Sequence, residues 1–258
     1  MFKNQRQNEI LEMLSKEKFL SVNTLAERLY ASLPTVRRDL TALENAGYVK
    51  RSHGGVMLYD GKESTPVSFR QGRQTTEKLK MAKLAVRLIN DGDLIFLDSS
   101  SSVLHIADFI SGFKDITVVT NGLIAAKKFS DAGAKVFSTG GRLLAESSAL
   151  VGHTAERAFS EFNADVMFFS AAAFSATAEI SDWSEDERNM RVTMAKTAKT
   201  KVFLCDSSKF DKQSAFRFGN ISAVDYIVTD KPASESLKEK ITLVSSSDDV
   251  AFLYKVIK

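Results

Sequence analysis

Five short polar stretches of the sequence each follow directly on an apolar run. They are "DSSSS" (Asp98 to Ser102), "TNG" (Thr120 to Gly122), "TGGR" (Thr139 to Arg142), "SAAA" (Ser170 to Ala173) and "DSSK" (Asp206 to Lys209). Hydroxyl and backbone N–H groups at a helix N-terminus hold phosphate, and Lys209 or Arg142 would neutralise its charge. The Asp98 carboxylate would accept hydrogen bonds from sugar hydroxyls. Each stretch alone is also ordinary turn chemistry, but five together favour a binding site.

The elements that must position these stretches are strands alternating with helices. "KLKMAKLAVRLI" precedes "DLIFLD", "SVLHIADFI" precedes "ITVVT", and "GLIAAKKF" precedes "AKVFST". "ADVMFFS", a polar helix over 184–199, "KVFLCD" and "DYIVTD" follow. This pattern predicts an α/β domain around a mainly parallel sheet, in which ligands bind beyond the carboxyl ends of the strands.

Residues suited to catalysis or metal binding are sparse. The three histidines lie at 53, 105 and 153, without metal-ligand spacing, and the single cysteine is Cys205. Neither Cys205 nor Ser208 has a base near it in sequence that would make it a nucleophile. We therefore expect no metal and no cofactor.

A second candidate site is "SLPTVRRDL", from Ser32 to Leu40. Ser32 is suited to cap a helix, and proline at position 34 is tolerated in a first turn. The spacing buries one face and leaves the other outside, with Pro34, Thr35, Arg37, Arg38 and Thr41. Adjacent arginines point about 100° apart, so in a DNA major groove they would reach different bases or phosphates. Read alone, the pair also fits two solvated surface cations.

The flanking sequence favours the DNA interpretation. Helical patterns in "QRQNEILEMLSK" and "SVNTLAERLY" precede this stretch, and "YVKRSHGGVMLY" follows as a hairpin with Lys50 and Arg51. His53 fits a hairpin-tip contact or a simple turn residue equally well. Three helices and a basic hairpin predict a winged helix-turn-helix over residues 1–57. Residues 58–73 are expected to be a linker, and 74–258 an α/β effector-sensing domain.

Charge and composition agree with this division. Residues 1–57 hold nine Lys and Arg against six Asp and Glu, and residues 58–258 hold 26 of each. The whole net charge of +3 therefore lies in the part expected to meet a polyanion. No apolar run spans a membrane, no signal peptide is evident, and one cysteine excludes an internal disulfide, so we expect a cytoplasmic protein.

The motif "TVRRDLTALENAGYVKRSHGG" resembles the N-terminal signature of the DeoR family of bacterial transcription regulators. The matching features are T-[VI]-R-R-D-L, then L-E-x-x-G, then R-x-H-G-G. The resemblance implies that Ser32, Thr35, Arg37 and Arg38 belong to a DNA-reading helix. It likewise places Arg51 and His53 in the wing.

The same resemblance extends over nearly all the chain. It implies a sugar-phosphate sensing domain similar in fold to ribose-phosphate isomerases and CoA transferases. The positions that match the family are Asp98, Ser101, Ser102, Asn121, Gly140, Gly141, Glu187, Asp206 and Lys209. Three places differ: Ser100 replaces a usual Gly, "SAAA" replaces a Gly-containing turn, and Arg191 replaces a Lys.

The leading hypothesis is a DNA-binding repressor of sugar-metabolism genes that responds to a phosphorylated sugar. A sugar-phosphate isomerase-like enzyme, with Asp98 or Glu187 as base, is the main alternative. A regulator whose effector pocket has decayed is the third. We expect double-stranded operator DNA, a sugar phosphate and further copies of the chain as partners, because repeated half-sites are read by oligomers.

Overall fold

The computed structural model describes residues 3–17, 19–45, 48–52, 55–58, 67–72, 74–234, 237–247 and 251–258. The chain divides into two compact units, residues 1–73 and 74–258. None of the helices in the described ranges is long and apolar enough to cross a membrane.

The N-terminal unit contains the three helices and the hairpin that the sequence predicts. Its elements are α1 (Lys3–Lys16), β1 (Leu20–Ser21), α2 (Val22–Arg28), α3 (Leu33–Asn45), β2 (Val49–Ser52), β3 (Gly55–Leu58) and α4 (Val67–Gly72). The strands form an antiparallel sheet in the order β1-β3-β2. The Ser21 Oγ caps α2 by accepting a hydrogen bond from the Thr24 N–H at 3.0 Å.

One apolar face of each long helix forms the core of this unit. The fully buried side chains come from all three helices and include Ile10, Leu14, Leu25, Val36, Leu40 and Leu43. They follow the i, i+3, i+4 spacing that marks a buried helical stripe. The opposite side of α3 is therefore left in solvent.

The expected linker differs from what the structure describes. Helix α4 lies within residues 58–73, contacts α1 and buries Val67. A helix of six residues is too short to produce a periodic apolar pattern, which is why the sequence did not indicate it. Residues 59–66 and 73 of the expected linker lie outside the described residues. The boundaries proposed from the sequence stay a prediction.

The C-terminal unit is an α/β domain. In chain order, with 3₁₀ helices labelled η, its elements are α5 (Thr75–Ala85), η1 (Val86–Leu88), β4 (Leu94–Leu97), η2 (Val103–Gly112), β5 (Thr117–Thr120), α6 (Leu123–Asp131), β6 (Lys135–Ser138), β7 (Arg142–Leu144), β8 (Ala149–Val151), α7 (His153–Ser160), β9 (Ala164–Phe169), β10 (Ala173–Phe174), β11 (Glu179–Asp182), α8 (Glu185–Thr197), β12 (Ala198–Cys205), η3 (Ser207–Lys209), β13 (Phe216–Asn220), η4 (Ile221–Ala223), β14 (Tyr226–Thr229), β15 (Ile241–Ser247) and β16 (Ala251–Val256). The predicted helix in "SVLHIADFI" is the 3₁₀ helix η2.

The main sheet confirms the fold class. Its strand order is β15-β16-β14-β12-β9-β4-β5-β6, parallel from β14 to β6 and antiparallel at β15 and β16. Successive residues alternate between two apolar cores: Phe96 and Met167 face one, and Ile95 and Phe168 face the other. Both faces of the central parallel strands are therefore covered, whereas the edge strand β6 is largely exposed.

Later strands are added to the sheet on both sides of β4, and this order determines where a ligand crevice can form. β5 and β6 extend the sheet on one side of β4, and β9, β12 and β14 extend it on the other. The strand order thus reverses between β4 and β9. In open α/β sheets a ligand crevice lies beyond the carboxyl ends of the strands at such a reversal.

Candidate functional site

The exposed side of α3 carries the two adjacent arginines. Ser32 directly precedes this helix and caps it: its Oγ accepts from the Thr35 N–H at 3.4 Å and lies 2.9 Å from the Thr35 Oγ1. Pro34, in the first turn, is exposed, as are Arg37 and Arg38. Within the described part of the chain, neither guanidinium group has an ion-pair or hydrogen-bond partner. Two unpaired cations on one helix suit an anionic surface.

The hairpin contributes a third cation to the same face. The exposed Arg51 donates from Nη1 to the Thr41 Oγ1 at 3.2 Å, and its N–H donates to the Glu44 Oε1 at 3.0 Å. Thr41 is exposed on α3, so the structure brings the hairpin and the arginine-bearing helix together. Lys50, also exposed, precedes Arg51 on β2. His53 lies outside the described residues.

Asp39 ties the buried face of α3 to α1, a role that was not predicted from the sequence. Its carboxylate is buried and lies 2.5 Å from the Arg6 Nε on α1. The signal was present in the sequence, because Asp39 stands three residues after Val36, on the apolar stripe. A charged residue at such a position requires a partner.

In the C-terminal unit, two lysines meet the serine loop at the end of β4. The Lys78 Nζ lies 3.1 Å from the Ser101 Oγ. The Lys209 Nζ lies 3.3 Å from the Ser102 Oγ and 2.5 Å from the Ser170 Oγ. These groups come from α5, η3 and the ends of β4 and β9, so the reversal point of the sheet holds two ammonium groups and three hydroxyls.

Lys78 is the second residue that the sequence analysis missed. It is 4% exposed, although lysine is among the residue types that are seldom buried. On α5 it stands three residues before Met81 and four before Ala82, both of which are fully buried. A lysine on the apolar stripe of the helix was the signal that could have identified it.

The Asp98 carboxylate is held by Arg191. The Arg191 Nε lies 2.7 Å from the Asp98 Oδ2, and the same guanidinium also contacts Asp182 and the Glu187 Oε2. All four side chains are buried. Burial disfavours the charge on Arg191, but the three carboxylates outweigh it and raise the pKa of the guanidinium. Arg191 therefore stays protonated.

Asp98 also organises the backbone around it. Its Oδ1 accepts from the Ser100 N–H at 3.0 Å, and its Oδ2 accepts from the Ser170 N–H at 3.2 Å. With the contact to Arg191, both carboxylate oxygens of Asp98 therefore have partners within the chain. Asp98 thus joins the loops that follow β4 and β9.

Asp206 positions Lys209. Its Oδ1 accepts from the Ser208 N–H at 3.2 Å, and its Oδ2 lies 3.3 Å from the Lys209 Nζ. Burial alone would raise the pKa of Asp206, but Lys209, the Ser208 hydrogen bond and Lys78 outweigh it and lower that pKa. The carboxylate is therefore charged at neutral pH and fixes an ammonium beside the serine hydroxyls.

Two buried polar atoms near these groups have no hydrogen-bond partner in the described structure: the Ser100 Oγ and the Asn121 Oδ1. The Asn121 Nδ2 donates to the Leu150 carbonyl at 3.0 Å, which leaves Oδ1 as an unpaired acceptor. The segments of Ser100 and Asn121 adjoin, because a Cβ placed on Gly122 would lie 3.0 Å from the Ser99 Cα.

Three of the predicted residues are not joined to this group. Gly140, Gly141 and Arg142 follow β6 at the edge of the parallel strands, and none of them forms a hydrogen bond or ion pair with the serine loop or Lys209 within the described residues. Arg142 is exposed and pairs with Asp186 at 2.6 Å. Gly141 has a φ of 112°, and a Cβ there would lie 2.7 Å from the Val151 carbonyl oxygen, so the backbone packing itself requires glycine.

Comparison with known proteins decides the family. Residues 6–62 match the DeoR-like helix-turn-helix domain, and residues 73–231 match the DeoR C-terminal sensor domain. The chain belongs to the DeoR family of transcriptional regulators. The family resemblance that the sequence motif indicated is therefore confirmed.

Curated relatives of this DeoR-family chain are named as regulators. It is 32% identical to the HTH-type transcriptional regulator GolR of Listeria innocua, over 93% of this chain and 95% of that one. It is 29% identical to a putative aga operon transcriptional repressor of Escherichia coli O157:H7, over 88% and 86% of the two chains. It is 27% identical to the transcriptional repressor CsqR of Escherichia coli K12, over 92% of each.

Solved structures give more distant likenesses. Ribose 5-phosphate isomerase A of Methanocaldococcus jannaschii aligns at a TM-score of 0.40 and 16% identity, over 70% of this chain and 79% of that one. The translation initiation factor eIF-2B of Pyrococcus horikoshii aligns at 0.46 and 14%, over 87% of each. Likenesses this distant say nothing about activity.

The three departures from the DeoR pattern have local explanations. Ser100 is outside the left-handed region of φ, so its Cβ adds no backbone strain. Ser170, the first residue of "SAAA", supplies a hydroxyl to Lys209. The planar guanidinium of Arg191 contacts three carboxylates at once. A lysine ammonium is a compact charge and would form less directional hydrogen bonds with them.

Proposed function

We propose that this DeoR-family protein is a cytoplasmic repressor of sugar-metabolism genes whose C-terminal unit binds a phosphorylated sugar. The observation that carries the proposal is the convergence of Lys78 and Lys209 on the hydroxyls of Ser101 and Ser102. That convergence lies where the strand order reverses, the usual place for a ligand in such a sheet.

The phosphate is assigned to the two lysines and the serine loop. A phosphate monoester carries about −1.5 to −2 charges at pH 7, which the two ammonium groups attract, although Asp206 offsets part of the charge of Lys209. The hydroxyls of Ser101 and Ser102 supply further donors, whereas the Ser170 Oγ already donates to the Leu204 carbonyl at 2.6 Å. Both lysines are already held in place, Lys209 by Asp206 and Lys78 by burial, so little ordering is needed on binding.

The sugar hydroxyls are assigned to Asn121 and Ser100. An unpaired buried carbonyl oxygen at Asn121 requires a donor, and a sugar hydroxyl is one. Asp98, the acceptor expected from the sequence, has both oxygens committed to Arg191 and to backbone N–H groups. Hydroxyl recognition therefore falls to Asn121 rather than to Asp98.

The contacts of Asp98 and Glu187 with Arg191 also favour a ligand-sensing role over an isomerase activity. Moving a proton between sugar carbons requires a base within hydrogen-bond reach of the substrate. Asp98 and Glu187, the candidate bases, are both held against a permanently charged guanidinium. Both carboxylates are therefore already engaged within the chain.

For the ligand to act as a switch, it must bind the DNA-free and DNA-bound states with different affinities. We propose that it favours the DNA-free state, so that a rising concentration of the sugar phosphate releases the operator. The protein is proposed to act as a homo-oligomer that presents two DNA-reading units to repeated half-sites. Light scattering with and without duplex DNA tests the oligomer, and a monomer in both states would contradict it.

Calorimetry with a panel of pentose and hexose phosphates tests the ligand class. Wild-type protein is expected to bind at least one of them, and Lys78→Ala and Lys209→Ala are expected to weaken that binding about tenfold or more, since each removes a charge-assisted hydrogen bond. Lys83→Ala removes an exposed lysine on the same helix as Lys78 and serves as the control.

Each other result of this experiment would support a different alternative. Binding that survives both lysine substitutions would place the ligand elsewhere. No heat from any sugar phosphate would favour a decayed pocket, and conversion of aldose to ketose phosphate would establish the enzyme.

A further inference from the structure

Tyr30 has a backbone conformation that its residue type disfavours. It lies at the end of α2 with a φ of 48°, in the left-handed region. Its N–H donates to the Glu27 carbonyl at 3.2 Å, and the Ala31 N–H donates to the Ala26 carbonyl at 3.0 Å. This pair of bonds is a Schellman motif, in which the position of Tyr30 is normally glycine.

The other described non-glycine residues with positive φ do not include an aromatic. They are Gln74, Asp115, Ser148, Ala178 and Asp211. A bulky side chain in this region is strained, because its Cβ crowds the neighbouring carbonyl oxygen. Tyr30 therefore destabilises the turn relative to glycine or asparagine.

Among the described residues, no packing of the Tyr30 side chain compensates for that strain. The Tyr30 side chain is 98% exposed, so it contributes no apolar burial to the fold. A strained residue whose side chain packs against none of the described residues calls for a contact outside the chain. The neighbouring sequence indicates which one, because Tyr30 stands two residues before Ser32, the cap of α3.

We propose that Tyr30 contacts DNA, with its hydroxyl donating a hydrogen bond to a backbone phosphate beside the start of α3. This proposal rests on DNA binding by the N-terminal unit. Three residues of chain span at most about 10 Å, and the major groove is about 12 Å wide, so a tyrosine at this turn reaches the flanking phosphate ridge. Tyrosine hydroxyls are among the groups that position proteins on that ridge.

The test compares affinity for duplex DNA with thermal stability in the full-length protein. The probe is a duplex that wild-type protein selects from a randomised library. Tyr30→Phe keeps the ring and the backbone conformation but removes the hydroxyl, and we expect about three- to tenfold weaker binding. The salt dependence should not change, since a neutral hydroxyl releases no counterions.

Tyr30→Asn is expected to move stability and affinity in opposite directions. Asparagine tolerates positive φ, so the melting temperature of the N-terminal unit should rise by about 2–5 °C while DNA binding weakens. Asp115→Gly is the matched control: it relieves the same conformation at an exposed site of the C-terminal unit and should leave DNA binding unchanged.

Wild-type affinity in both Tyr30→Phe and Tyr30→Asn would overturn the proposal. A changed oligomeric state of the free variants, with unchanged DNA binding, would assign Tyr30 to a protein interface and also overturn it. Failure of wild-type protein to select any duplex would instead contradict DNA binding itself.

Discussion

The Arg191 Nε lies 2.7 Å from the Asp98 Oδ2, although 93 positions separate the two residues in the sequence. This buried ion pair joins helix α8 to the loop that follows β4. Because Asp182 and Glu187 contact the same guanidinium, one arginine balances carboxylates from three elements. The loop that carries Ser100, Ser101 and Ser102 is therefore placed by a residue far along the chain.

Replacing Arg191 should lower the free energy of unfolding of the C-terminal unit more than replacing an exposed arginine does. Arg191→Met would leave three buried carboxylates without their partner, and we expect a loss of about 3–5 kcal/mol in the free energy of unfolding. Arg191→Lys keeps the charge and should lose less. Urea unfolding measures both, and Arg157→Met, an exposed arginine on α7, is the control. Equal stability of Arg191→Met and Arg157→Met would contradict the role assigned to this cluster.

Acid should destabilise the protein in part through Asp206. The pKa of this carboxyl is lower in the folded state than in the unfolded chain, where it is about 3.9. As the pH falls, the unfolded state takes up the proton first, so the contribution of Asp206 is complete above about pH 5 and is lost as the pH drops through the folded pKa. Asp206→Asn should therefore flatten the fall in unfolding free energy between pH 5 and pH 3. Asp211→Asn, at an exposed neighbouring site, should leave the slope as in wild type.

The arginines of α3 should dominate DNA affinity. Arg37→Ala or Arg38→Ala is expected to weaken binding by about 1–3 kcal/mol if the side chain contacts a base, or to lower the salt slope by about one if it contacts a phosphate. Lys16→Ala removes an exposed cation of α1 and serves as the control. Salt titrations of the selected duplex distinguish the two contacts. A double variant that binds like the control would disprove the assignment of α3 as the reading helix.

Gly141 should tolerate alanine less well than another glycine that also has a positive φ. At Gly92, with a φ of 82°, an added Cβ meets nothing within 4 Å, so Gly92→Ala should cost only about 1 kcal/mol of conformational strain. Gly141→Ala adds a collision with the Val151 carbonyl oxygen and should cost more. Parallel urea titrations compare the two. Equal losses would mean that close backbone approach is not why position 141 is glycine.

The sequence by itself predicted the three helices of the N-terminal unit, the parallel strands and the polar residues at their ends, but not α4. Serine caps at Ser21 and Ser32 and the apolar stripe of Val36, Leu40 and Leu43 are local patterns, because helix geometry repeats within a few residues. Apolar runs likewise predicted the parallel strands and the polar residues that follow them. The family motif added the prediction that α3 reads DNA.

Only the tertiary structure decided which of those polar residues meet. Strand order places the ends of β4, β9 and β12 side by side, and it brings Lys78 from α5 onto Ser101. It also commits Asp98 to Arg191 and leaves the Asn121 Oδ1 unpaired. Hydrogen bonds and ion pairs depend on distance in space, and local periodicity carries no information about which distant segments become neighbours.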